Sequence, residues 1–164
     1  MVLLTAINAK YIHSNLAVYS LKAYAEKKYC GRVSLAEYTI NNSMEQILRG
    51  IYEKSPKVAA FSCYIWNVEM VLAVAENLKK ILPEVSVILG GPEVSYNAEE
   101  LLQKYPFVDL IMRGEGEEIF LEYMEWYAGE GRELKDIAGI TYRQGDSILS
   151  NVDLSLIHIS EPTR

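Results

Sequence analysis

Short apolar runs alternate along this chain with segments whose apolar positions recur at helical spacing. Residues 2–7 form an apolar strand. From 15 to 28, Leu16, Tyr19, Leu21, Ala23 and Tyr24 trace one helical stripe. Residues 33–38 read as a second strand. Ser43, with Gln46 three positions on, makes a capping-box pattern, and the helix it opens runs to about 53, where Pro56 closes it. The third strand covers 57–63. Asn67 reads as the cap of a helix over 68–82, ended by Pro83. A fourth strand covers 85–89. Asn97, with Glu100, reads as a cap ahead of a helix over 98–105. The fifth strand is 108–112 and the last helix 117–127. After a polar connector over 129–136, residues 137–143 and 147–149 read as a hairpin, turned at Gln144-Gly145-Asp146.

Strands alternating with helices of this length predict an α/β fold. The expected architecture is a doubly wound, Rossmann-like or flavodoxin-like, five-stranded parallel sheet. Helices would cover both faces, and a C-terminal β-hairpin would follow. Right-handed crossovers place every strand-to-helix loop on one edge, the edge where ligands sit in open α/β sheets. The expected organisation is an α/β domain over 1–128 and a connector with hairpin over 129–153.

A chain of 164 residues, half of them hydrophobic, is long enough for one globular domain. Its apolar runs fall well short of the roughly 18 residues that span a bilayer. No basic segment precedes the first strand, so no signal peptide is expected and the cytoplasm is the expected compartment. The net charge is −6 with no basic tract, which disfavours nucleic acid as a partner. Cys30 and Cys63 form no CxxC pair, and a cluster held by this chain alone would need more thiolates. Cys63 reads as a small buried hydrophobe, with a nucleophile as the alternative.

Residues 154–164, LSLIHISEPTR, fit none of the preceding pattern. They resemble the in-frame translation of a transposase adapter used in sequencing libraries, so a non-native tail is expected here and a protein that continues past Asp153. A natural strand and loop is the alternative. His158 then carries no functional weight.

The strand-end loops hold the candidate chemistry. After the first strand come Asn8, Ala9, Lys10 and His13. His13 is a ligand, an acid–base group or a helix-entry hydrogen-bonder; the neighbouring cap residues Ser14 and Asn15 favour the last. Lys10 reads as an anion binder or a solvated lysine. Ser62 and Tyr64 end the third strand. The Ser62 hydroxyl faces a ligand or a backbone group, and Trp66 belongs to the core or leans over a planar ligand. Gly90 and Gly91, before Pro92 and Glu93, permit close backbone approach. A bare turn needs one such glycine, so the pair points to a ligand. In Arg113-Gly114-Glu115-Gly116-Glu117 the carboxylates would repel a pyrophosphate, which argues against a phosphate loop. No paired catalytic carboxylates, Ser/His/Asp set or metal cluster is apparent, so no catalytic residue and no metal ligand is expected.

In this order and spacing, four features resemble one family. They are Ser62 on strand three, Gly90-Gly91-Pro92 after strand four, Asp109 with Gly114-Glu115-Gly116-Glu117 around strand five, and the I-x-G-I-x-Y-R run from Ile137 to Arg143. The chain is similar to the N-terminal cobalamin-binding domain of cobalamin-dependent radical S-adenosylmethionine (SAM) proteins. The resemblance implies cobalamin as ligand, with its tail base detached and running down between strands beside Ser62, Gly90 and Gly91. It also implies a following radical SAM barrel in cis, which would bring a 4Fe-4S cluster, S-adenosylmethionine and a methyl-transfer or related radical reaction. Such domains carry D-x-H-x-x-G after strand one. Here Asn8 stands for the aspartate, Lys10 for the histidine and His13 for the glycine, which argues against a histidine lower ligand to cobalt. Glu93 stands where members often have histidine. Two alternatives remain: a flavodoxin-like module for FMN or a nucleotide, and a non-catalytic regulatory or docking domain.

Overall fold

The computed structural model describes residues 1–9 and 15–154. Lys10, His13 and positions 155–164 of the expected tail lie outside the described residues. Seven strands form one sheet in the order β2-β1-β3-β4-β5-β6-β7. The strands are β1 (Val2–Asn8), β2 (Val33–Thr39), β3 (Val58–Ser62), β4 (Ser86–Gly90), β5 (Leu110–Met112), β6 (Ile140–Gln144) and β7 (Ser147–Ser150). The first five are parallel. The hairpin differs from expectation in one respect: β6 pairs antiparallel with β5 and extends the same sheet. Gly145, at φ +59, starts its two-residue turn, the arrangement that suits the twist of paired strands.

The helices are α1 (Leu16–Glu26), α2 (Met44–Lys54), α3 (Val68–Ile81), α4 (Ala98–Lys104) and α5 (Gly116–Tyr127). Local chemistry sets their ends. The Asn15 side chain accepts from the Ala17 N–H and opens α1. Ser43 and Gln46 form the complete capping box of α2. Ser55 then takes a left-handed conformation at φ +47, and Pro56 prevents continuation. Asn67 and Asn97 are corrections, because neither side chain caps its helix. Asn67 has a different task, described below.

The sheet is covered on both faces, as parallel sheets require. Alternate positions divide its strands cleanly. Leu3, Ile7, Phe61, Leu89 and Ile111 point to one core, packed by α2, α3 and α4. Leu4, Ala60, Ile88, Leu110 and Met112 point to the other, packed by α1 and α5. The strand order 2-1-3-4-5 reverses between β1 and β3, so the crevice at their carboxyl ends is a topological switch point.

Candidate functional site

The two faces of the sheet are not packed alike. On the α2–α4 face, β3 and β4 present Phe61, Val87 and Leu89, and all are buried. On the α1–α5 face, the same strands present Ala60, Ser62 and Gly90. These three are too short to reach the helices above them. The result is a cavity of about 430 Å³ between that face of the sheet and helices α1 and α5. A volume of this size lies within the range of small-molecule sites, about 300–1,000 Å³.

Register fixes the layers of the cavity. Leu4 pairs with Ala60, and Ala60 with Ile88, forming one row across the floor. One step toward the carboxyl edge, Ser62 pairs with Gly90 and Gly90 with Met112. Val18 and Leu21 of α1 and Phe120 of α5 close the sides. Polar groups appear only toward the mouth: Ser62, Tyr64, Ser95, Tyr96 and Glu117. There the Ser20 hydroxyl donates to Glu117 Oε1 at 3.0 Å and ties α1 to α5.

The adjacent glycines do different things. Gly91 has φ +107, and a Cβ there would lie 2.4 Å from the carbonyl oxygen of Cys63. Its glycine is demanded by the fold, because the β3 and β4 loops touch at this point. Gly90 lacks a left-handed φ, and a Cβ there would meet nothing closer than 3.8 Å. Nothing in the packing forbids a side chain at Gly90; a side chain would simply enter the cavity. Gly116 is again a packing glycine, since a Cβ there would lie 3.0 Å from Leu21 Cδ2. Gly114 bends the loop at φ +84, with open space around it.

Asn67 is the hidden brace of this edge. It is 1 % exposed. Its Oδ1 accepts from the Tyr64 N–H at 2.8 Å, while its Nδ2 donates to the carbonyls of Ile7 and Ser62 at 3.0 Å each. One side chain thus fixes the ends of β1 and β3 and the loop that carries Tyr64. Tyr64 in turn stacks on Trp66, with ring centroids 4.5 Å apart and planes within 2°. Leu16, Ile65, Trp66 and Tyr96 stand exposed around this edge.

Ser62, Tyr64, Gly90, Gly91, Pro92, Gly114 and Gly116 therefore line the cavity, as the strand-end pattern suggests. Others on the same edge do not. Arg113 turns away, with its guanidinium binding Asp153 and the carbonyls of Asn151 and Ile140. It anchors the chain leaving β7. Asn8 donates to Glu37 Oε2 at 2.9 Å, and Tyr19 donates to the same carboxylate. Ala9, Glu93 and Glu115 are exposed and outside the lining. Asp109 sits at the opposite end of β5, where it accepts from the Val87 N–H and pairs with Lys79, both at 2.8 Å. The cavity residues that motif reading missed, Leu4, Val18, Ala60, Ile88 and Phe120, are ordinary core types. The available signal was the run of small residues on one face of β3 and β4.

Cys63 is fully buried, and burial pushes its thiol up to about 12, so it is no nucleophile near neutrality. Among the described residues no group of three or more His, Cys, Asp or Glu side chains could hold a metal ion. No described helix is long and apolar enough to cross a membrane.

Comparison with known proteins gives this geometry a context. A family model described as "B12 binding domain" matches residues 2–124. The cobalamin-dependent radical SAM methyltransferase TokK of Streptomyces tokunonensis is 33% identical over 102 residues, which is 62% of this chain and 15% of that protein. The 2-(S-pantetheinyl)-carbapenam-3-carboxylate methyltransferase of Streptantibioticus cattleyicolor is 30% identical over 104 residues, 63% of this chain and 15% of that protein. The chain thus spans about 15% of the length of these two curated relatives. The solved structure of the cobalamin-dependent S-adenosylmethionine radical enzyme OxsB with aqua-cobalamin bound superposes with a TM-score of 0.74 at 20% identity. The match covers 93% of this chain and 22% of that one, and it shows the same fold.

Proposed function

The chain belongs to the B12 binding domain family, and from that premise we propose that the cavity between α1, α5 and the sheet receives the nucleotide tail of cobalamin. The corrin ring is too large for this space and would lie across the mouth. The observation that carries the reading is the combination of Ala60, Ser62 and Gly90 on one face. They open a slot under two helices where packing alone asks for larger side chains. The slot runs along one face of the sheet, so the tail would descend between sheet and helices rather than between strands.

The donor set fits such a ligand. An apolar floor suits an aromatic base detached from cobalt. The Ser62 hydroxyl and the backbone of Gly90 and Gly91 would face the ribose and phosphate, and the Glu117 carboxylate at the mouth would accept from a ribose hydroxyl. The stacked Tyr64–Trp66 pair offers a flat apolar wall beside the mouth. Bound cobalamin supplies a cobalt centre able to carry a methyl group or pass electrons. Residues of this chain would hold and orient that group and exclude water from its tail.

The parent protein, in this reading, is a radical SAM enzyme, a methyltransferase or related catalyst. Its 4Fe-4S cluster and S-adenosylmethionine would belong to a barrel beyond residue 153. Similarity to TokK and to the carbapenam methyltransferase over their matched segments supports this. We place the protein in the cytoplasm, a reading supported by two unpaired cysteines, one of them exposed.

Titration of the purified chain with hydroxocobalamin, followed by corrin absorbance after desalting, tests the proposal. Retained corrin at one equivalent is expected, with weaker retention of cobinamide, which lacks the nucleotide. No retention of any corrinoid, in a chain whose circular dichroism shows it folded, would refute it.

A further inference from the structure

We propose that this cavity discriminates among cobamides by their lower base, accepting a benzimidazole and rejecting a purine. The inference rests on the tail-binding reading above and goes beyond it by naming which tail fits. Its basis is the separation of polarity with depth. The floor row is Leu4, Ala60 and Ile88, flanked by Val18, Leu21 and Phe120. None of these side chains carries a hydrogen-bonding atom. The backbone beneath them is committed to the parallel ladders of β1, β3 and β4. Side-chain polar groups enter only at the level of Ser62 and above. Two of them already have partners: the Ser95 hydroxyl donates to the Gly91 carbonyl at 2.8 Å, and Glu117 accepts from Ser20.

Any ring that reaches the floor therefore meets only carbon. A dimethylbenzimidazole detached from cobalt brings one free ring nitrogen and two methyl groups to such a place. An adenine brings three ring nitrogens and an exocyclic amine. Each buried polar group left unpaired is costly, whereas apolar contacts to added methyls are favourable. The adenine-tailed cobamide should bind about ten- to hundred-fold more weakly than cobalamin.

The test compares three corrinoids on the full chain by equilibrium dialysis: hydroxocobalamin, its adenine-base analogue, and cobinamide. Cobalamin is expected to bind tightest, with the adenine analogue at least tenfold weaker. Val18→Thr keeps the side-chain shape while adding a hydroxyl to the cavity wall, and should narrow that ratio by threefold or more. Equal affinity for cobalamin and the adenine analogue, with cobinamide weaker than both, would overturn the selectivity while leaving the tail site standing. A folded Val18→Thr chain with an unchanged ratio would overturn the role of this apolar lining. No binding of any of the three would remove both this inference and the reading it rests on.

Discussion

Substitution at the two adjacent glycines should separate binding from folding. At Gly90 the backbone has no left-handed φ, and a new Cβ finds its nearest neighbour, the Met112 carbonyl oxygen, at an ordinary 3.8 Å. Gly90→Val places a β-branched residue at a strand end, a change worth between about zero and 1 kcal/mol in favour of folding. Its methyls would project into the cavity of about 430 Å³, between Ser62 and Met112. Retention of cobalamin should fall at least tenfold, or about 1.4 kcal/mol. At Gly91 the situation reverses. A φ of +107 and a Cβ placed 2.4 Å from the Cys63 carbonyl oxygen make Gly91→Ala strained and overpacked. A cost of about 2 kcal/mol or more lowers Tm by roughly 4–8 °C in a chain of this size. Thermal melts followed by circular dichroism, paired with hydroxocobalamin retention, read both effects. Wild-type retention by Gly90→Val would refute the slot, and a wild-type melt for Gly91→Ala would refute the packing account.

Other outcomes follow from the same geometry. Asn67→Ala removes the three hydrogen bonds of a buried side chain and should cost about 2–4 kcal/mol by chemical denaturation, with loss of corrin retention because Ser62 and Tyr64 lose their brace. Arg113→Ala should destabilise by about 1.5–3 kcal/mol yet leave corrin affinity within about threefold, since the guanidinium points to the chain exit; a binding loss at undiminished stability would contradict this. Iodoacetamide on the native chain at pH 8 should label Cys30 alone, with Cys63 reacting only after denaturation, as mass spectrometry of peptides would show. Glu130 is held below the usual carboxylate range by hydrogen bonds from Tyr29 and Lys28. A lowered folded-state value adds stability above the unfolded carboxylate value of about 4.3 that is lost as pH falls through the folded one. Glu130→Gln should therefore melt slightly below the parent at pH 7, and the gap should close in acid.

The alternation of periods two and 3.6 made the sheet and its helices legible. Parallel strands buried on both faces are continuous apolar runs, and caps such as Ser43 with Gln46 act within one turn. The caps at Asn67 and Asn97 misled because an asparagine before a helix can serve a distant partner, and Asn67 serves Ile7 sixty residues away. The motif around β5 was legible as a pattern but not as a set of roles. Asp109 and Arg113 hold strands and the chain exit, and Gly116 and Gly139 relieve packing. Only part of that pattern, Gly114, Gly116 and Glu117, lines the cavity. The cavity itself was hard to see because a void is made by residues that are absent in bulk. Ala60, Ser62 and Gly90 look unremarkable until register aligns them on one face.

Amide hydrogen exchange, with and without hydroxocobalamin, tests the location of the site most directly. Slowed exchange is expected in the first turns of α1, from Gly90 to Ser95 and from Gly114 to Phe120, with no change across α2 and α3. Protection confined to α2 and α3, or no protection at saturating cobalamin, would contradict it.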